Sequence, residues 1–404
     1  MPEIVNGGIV IVGGGQAAAS MAAKLRAEGY DGALTIIGEE PVAPYQRPPL
    51  SKAYLLGEMP LERLTLRASA YWAEQNVTLR LGEPALRIDP AARVVHTAKA
   101  GIRYDQLALC TGADPKRLPA ALGGDLGNVF TIRTLADIEA LQPQMAAGKR
   151  LVVIGGGYIG LEAAAVARKL GLDVVLVQAS ERILRRVACR ETADAVRALH
   201  QAQGVTIREG TGLRTLRGEG VVDSVELVDG TVLPADLVVV GIGVTPSVRL
   251  AEEAGLVLGD GIVTDAQGRT SDPHIWSAGD CAEIDLHGAR MRLESVGNAI
   301  DMGELVARNM LGAAETYQPK PWFWSDMFAS KLQIAGWNGG YTRVIAKDVD
   351  GESFWYFRED HLIAVDALDA PRAYMVGKRL IEAGSDVTPA EIEAAADLKS
   401  LMRR

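Results

Sequence analysis

Apolar residues fall in short runs along this chain. Ile9–Val12 and Leu151–Ile154 are unbroken β-branched and aliphatic runs, as expected of strands covered on both faces. Each run enters three glycines, Gly13-Gly14-Gly15 and Gly155-Gly156-Gly157, and then a helical spacing of apolar positions. Gly29 and Gly171, each sixteen positions past the first glycine, would stop those helices. The pattern predicts a helix over 15–28 and a strand over Leu34–Ile37, closed by Gly38-Glu39-Glu40, and a second such βαβ unit over 151–182. A proline-rich stretch, Pro44 to Lys52, should form a stiff, shaped loop. Tyr104–Gly112 and Pro234–Gly243 repeat one motif: an acidic residue, an apolar strand, a glycine turn. His274–Ala282 reads as a further buried strand, and 298–312 as a helix.

The simplest topology inserts the second unit in the first. The fold class expected is α/β, with two Rossmann-like dinucleotide-binding domains. One spans 1–110 and 243–318, and the other spans 111–242. Tyr317–Trp324, rich in proline and aromatics, reads as a boundary. Alternation from about 325 to 370, as in Ser353–Phe357, predicts an antiparallel sheet with a helical tail, so 319–404 forms a C-terminal α+β domain.

Composition narrows the classes. The chain has 404 residues, 48% hydrophobic and 23% charged, which fits a globular protein of two or three domains. Its net charge of −9 argues against nucleic acid as a partner. No apolar run reaches membrane-spanning length, so no membrane association is expected. The start, Met1-Pro2-Glu3, does not read as a signal peptide. Cys110, Cys189 and Cys281 are odd in number and far apart, which suits a reducing cytoplasm and offers no metal site.

The glycine turns carry the candidate chemistry. A pyrophosphate needs close backbone approach and free N–H groups at a helix N-terminus. Gly13, Gly15 and Ala18 supply this in the first copy, and Gly155, Gly157 and Gly160 in the second. Glu39 stands where an acidic residue binds ribose hydroxyls; the matching position in the second copy is Gln178. Glutamine can still bond a ribose but does not repel a 2′-phosphate. NADH and NADPH therefore both stay open. Arg182, Arg185 and Arg186, which follow, read more readily as a solvated face.

Several motifs together resemble a known family. They are Pro48-Pro49-Leu50-Ser51-Lys52, Gly155–Glu162 with Ile159 inside it, Ser277–Ala282, Glu294–Ala299 and Pro321–Asp326. In these the chain is similar, over nearly its whole length, to the FAD-dependent ferredoxin reductases of bacterial oxygenase systems. These are the putidaredoxin reductase and biphenyl dioxygenase reductase type, with a glutathione-reductase-like fold. The resemblance implies FAD contacts at Ala17, Glu39, Lys52, Ala85, Arg133, Asp280 and Val296. It implies a Lys52–Glu162 ion pair near the nicotinamide, and Tyr158 and Trp324 as aromatics flanking flavin and nicotinamide. It further implies electron flow from NADH through FAD to a [2Fe-2S] ferredoxin serving a haem-thiolate monooxygenase or a ring-hydroxylating dioxygenase.

What is missing matters too. There is no C-x-x-C or C-x4-C pair, as disulfide reductases of this superfamily need, and residues 41–60 lack the single cysteine of its NADH oxidases and peroxidases. Electrons should therefore leave without a protein thiol. Rubredoxin reductases and NADH oxidase-type flavoproteins share the motifs and remain alternatives. A flavoprotein resembling apoptosis-inducing factor, without turnover, is disfavoured by the acidic charge.

Overall fold

The computed structural model describes residues 3–286 and 288–402; Met1 and Pro2, on which the reading of the chain's start partly rests, lie outside them. The chain divides into two compact units. The first comprises Met1–Gln46, Pro60–Asp114 and Thr245–Pro321; the second comprises Arg47–Met59, Pro115–Val244 and Trp322–Arg404. The second dinucleotide-type fold thus interrupts the first, as the repeated motif implied.

In the first unit, parallel strands run in the order Val77–Arg80, Leu34–Ile37, Ile4–Val12, Gly101–Leu109, the last also pairing with Ile275–Ser277. The first strand starts at Ile4 rather than Ile9. Its polar, glycine-containing half is carried by a bulge around Asn6–Ile9, with Gly8 at φ +59°. Helix Gln16–Ala27 buries Ala18, Met21, Ala22 and Leu25. Gly29 follows at φ +88°, the left-handed position expected of a residue past a helix end. Helix Val296–Met310 packs very close to it: a Cβ on Gly303 would stand 2.7 Å from the Ala17 carbonyl oxygen.

In the second unit, a parallel sheet runs in the order Thr206–Glu209, Asp173–Gln178, Arg150–Ile154, Leu237–Val240, Val129–Phe130. Helix Tyr158–Lys169 is buried from Gly160 through Ala167. So complete a burial needs a second covering layer. Strand Trp322–Met327 of the C-terminal module provides it, placing Ser325 and Phe323 against the helix. That strand is the edge of an antiparallel sheet ordered Trp322–Met327, Ser330–Gly336, His361–Leu368, Glu352–Arg358, Arg343–Asp348. Helices Pro371–Glu382 and Pro389–Ala394 follow. Phe354–Phe357 is buried throughout because both sheet faces are covered. Trp355 and Phe357 pack with the Pro371–Glu382 helix, while Phe354 and Tyr356 pack on Cys189 and Ala195.

A buried polar cluster sits on that second face. Asp366 Oδ2 accepts from the hydroxyls of Tyr356 and of Thr192, the latter at 2.7 Å, and the Cys189 amide donates to the Tyr356 oxygen at 2.9 Å. Asp366 Oδ1 has no partner among the described residues. Burial pushes the Asp366 carboxyl up to about 6, against the opposing pull of its two hydroxyl donors.

Candidate functional site

The two glycine turns share one geometry. Gly13 (φ +121°) and Gly155 (φ +111°) adopt a backbone that side chains rarely tolerate. A Cβ on Gly13 would lie 2.1 Å from the Cys110 carbonyl oxygen, and one on Gly155 would lie 2.2 Å from that of Gly241. Each glycine is therefore fixed by the turn leaving a neighbouring strand. The helices that follow begin at Gly15 and Gly157, which no side chain caps, with no acidic residue in the first turn and open space where a Cβ would be. By contrast Thr134, Cys189, Ser295 and Thr388 cap their helices with their own side chains. Unspent N–H groups beside open space fit a dinucleotide pyrophosphate at both turns.

Other predicted residues gather round the first turn, within the first unit. Gly279, next to Asp280, lies against Ala17 and Ala299. Val296 opens the Val296–Met310 helix, whose Ser295 cap accepts from the Asn298 amide at 3.1 Å. Glu39 is exposed beside Gly38, which faces Gly14, and Ala85 is buried with Val12 and Ile37.

The second unit holds the remaining candidates. Glu162 is 3% exposed, and each of its oxygens is engaged. Oε2 accepts from the Ser51 hydroxyl and pairs with Lys52 Nζ at 2.8 Å; Oε1 accepts from the Ser325 hydroxyl at 2.6 Å. Prolines 48 and 49 shape a single 3-10 turn, Pro48–Ser51, and Lys52 Nζ also donates to the Pro48 carbonyl at 3.2 Å. The loop is tied down at both ends: Arg47 donates to the Arg133 carbonyl at 2.7 Å, and the Gln142 amide donates to the Tyr54 and Leu55 carbonyls at 3.3 Å. Lys52 is thus a packed residue with a fixed direction, not a loose surface lysine.

One helical turn before Glu162, the Tyr158 ring meets Phe323 at 4.7 Å. Its hydroxyl is buried and has no partner among the described residues, and burial, with Asp366 and Glu162 nearby, pushes it well above the ordinary phenol range. Ile159 is exposed at the helix start, and Trp324 stacks on Trp322 at 5.5 Å. Gly160 lies where a Cβ would meet the Gly155 carbonyl oxygen at 2.1 Å, so this position admits glycine alone without movement.

Gln178 is turned inward. Its Oε1 accepts from the Gly156 amide at 2.7 Å, and its amide nitrogen donates to Ser180. Arg182 departs from the solvated face expected of it. It is buried, donating to the Ala188 carbonyl at 2.9 Å and to those of Ile183 and Cys189 at 3.3 Å, so its guanidinium is spent on the carbonyls of the loop it spans. Arg185 and Arg186 stay exposed.

Residues 7–303 match the family described as pyridine nucleotide-disulphide oxidoreductase, and 322–402 match the reductase C-terminal family. The chain belongs to these flavoprotein reductases. It is 40% identical, over 98% of its length and 97% of the relative's, to a ferredoxin–NAD(P)(+) reductase of Sphingomonas sp. It is 41% identical to rhodocoxin reductase of Rhodococcus erythropolis over 96% of this chain and 92% of that one. Among solved structures it is similar to the covalent putidaredoxin reductase–putidaredoxin complex, with TM-score 0.94 and 37% identity over 98% of both chains. It is also similar to a ferredoxin reductase of Rhodopseudomonas palustris, with TM-score 0.93 and 37% identity over 98% of this chain and 99% of that one. The resemblance and glutathione-reductase-like fold read from the sequence are borne out.

Ser325 and Ser51 carried no role in the sequence reading, although both lie in its motifs. A signal was there for Ser325: it is a polar residue at an inward position of an apolar strand, flanked by Phe323 and Met327 on the same face.

Proposed function

We propose that this reductase passes electrons from NADH, or NADPH, through FAD to a [2Fe-2S] ferredoxin serving a haem-thiolate monooxygenase or a ring-hydroxylating dioxygenase. One observation carries the reading: two open glycine cradles occur in a chain whose three cysteines are all free and buried. Two nucleotides can bind, and no thiol pair stands ready to take the electrons, so an external carrier must. FAD supplies the step from hydride to single electrons.

The protein's share is binding and orientation. Residues 1–110 and 243–318 hold FAD, with Gly13, Gly15, Ala17, Ala18, Glu39, Ala85, Asp280 and Val296 as contacts. Residues 111–242 hold the nicotinamide nucleotide, with Gly155, Gly157, Tyr158, Ile159, Gly160 and Gln178. Arg133 is assigned to FAD. Lys52, oriented by Glu162, and Trp324 serve hydride transfer, and 319–404 completes the fold. Hydride transfer needs no general base, which agrees with a site built of one ion pair and aromatic rings. The proposal includes a cytoplasmic location: three cysteines, all free and buried, suit a reducing compartment.

The test is anaerobic stopped-flow reduction by NADH and NADPH, followed by reoxidation with purified ferredoxins. Cytochrome c reduction that appears only when a [2Fe-2S] ferredoxin is added supports the proposal. Fast peroxide or water formation without ferredoxin overturns it in favour of an oxidase. A second reading has a specific basis, since a rubredoxin–NAD(+) reductase of Pseudomonas putida is 35% identical over 90% of this chain. Faster reoxidation by rubredoxin than by any ferredoxin would favour it.

A further inference from the structure

We infer that Ser325 is a positioning residue, through which the C-terminal module sets the Lys52–Glu162 pair. The inference rests on the assignment of that pair to hydride transfer. Glu162 is a buried carboxylate with three donors: Ser325 on one oxygen, Ser51 and Lys52 on the other. A buried charge must have its acceptor sites filled to be tolerated. Here each oxygen is held by a serine from a different segment, and the carboxylate plane is fixed as a result. Lys52 Nζ meets the Oε2 oxygen along a direction that the clamp defines.

The helix and strand are matched in pitch. Tyr158 and Glu162 are one helical turn apart, about 6 Å along the axis. Phe323 and Ser325 are two strand residues apart, about 6.6 Å. Tyr158 therefore meets Phe323 while Glu162 meets Ser325. Removing the Ser325 hydroxyl leaves Oε1 buried without its donor. The carboxylate then turns to recover a partner, and Lys52 loses its fixed direction. The Tyr158–Phe323 contact is untouched by that change. Ser325 acts through Lys52, so its effect must vanish when Lys52 is absent.

The test is a double-mutant cycle on the FAD-loaded enzyme, with Ser325→Ala, Lys52→Ala and the pair. We expect Ser325→Ala to retain FAD and to slow the limiting rate of flavin reduction about tenfold, the scale of one hydrogen bond to a charged group. The NADH concentration for half-saturation should not change. The midpoint potential of the bound FAD should fall, as a displaced cation no longer favours the reduced form. The double variant should be no slower than Lys52→Ala alone, and Ser325→Thr, which keeps the hydroxyl, should restore the rate. If Ser325→Ala does not fold, Ser51→Ala replaces it in the cycle with the same expected slowing. Effects of Ser325 and Lys52 that add, or an unshifted potential, overturn the inference and leave the role of Lys52 standing. A Lys52→Ala enzyme that reduces its flavin at the original rate overturns both.

Discussion

Gln178 spends its side-chain amide inside its own loop, on Gly156 and Ser180. A glutamate there could keep the Gly156 bond with one oxygen and offer the other to a ribose hydroxyl, while repelling a 2′-phosphate. Gln178→Glu should shift the ratio of kcat/KM for NADH over NADPH toward NADH by about tenfold. An unchanged ratio would remove Gln178 from the ribose site. Lys52→Ala should slow flavin reduction more than it weakens FAD binding; a preparation stripped of FAD would show that Lys52 is structural instead. Asp366 makes the stability of the fold depend on pH. Its folded carboxyl titrates near 6 against an ordinary value of 3.8, so the folded state holds this proton more tightly than the unfolded one. Stability from this group is present at low pH and is lost as pH rises from about 4 to about 6, by roughly 3 kcal/mol. Asp366→Asn should flatten that window, read as the difference in urea midpoints between the two proteins across it.

Among the elements, the two strand–turn–helix copies part at the last glycine position of the motif: Ala18 in the first, Gly160 in the second. A Cβ on Gly160 would stand 2.1 Å from the Gly155 carbonyl oxygen, so Gly160→Ala must push helix and loop apart. We expect a loss of more than about 2 kcal/mol and a much weaker nicotinamide nucleotide, measured by thermal melting and NADH titration. Strands and helices of this kind were legible because glycine is demanded by backbone geometry that sequence displays directly. The first half of strand Ile4–Val12 was not, since Asn6-Gly7-Gly8 looks like a break until a bulge is seen to carry it. The run Ser353–Phe357 read as part of an alternating pattern, yet Phe354–Phe357 is buried on both faces. The serine clamp was hidden for a related reason. Which strand residue meets which helix turn is set by tertiary register, and neither segment states it alone.

For the whole molecule, Cys110, Cys189 and Cys281 are all buried, and burial also pushes the thiols of Cys110 and Cys189 up, away from the reactive thiolate. Alkylation of the native enzyme should label none of them and leave ferredoxin reduction intact; mass spectrometry with a turnover assay checks this. Any loss of turnover that tracks labelling would point to thiol chemistry. Among the described residues, no helix is long and apolar enough to cross a membrane. The open helix starts at Gly15 and Gly157 have a further consequence. Their caps are not written in the polypeptide but borrowed from solution, so the nucleotide is part of what completes each helix. Ligand at a hundred times its dissociation constant adds about 2.7 kcal/mol to a folded state by mass action. The melting temperature should climb with free FAD and, to a smaller degree, with nicotinamide nucleotide. In a cell short of flavin, the amount of this reductase would then follow vitamin supply rather than gene expression alone.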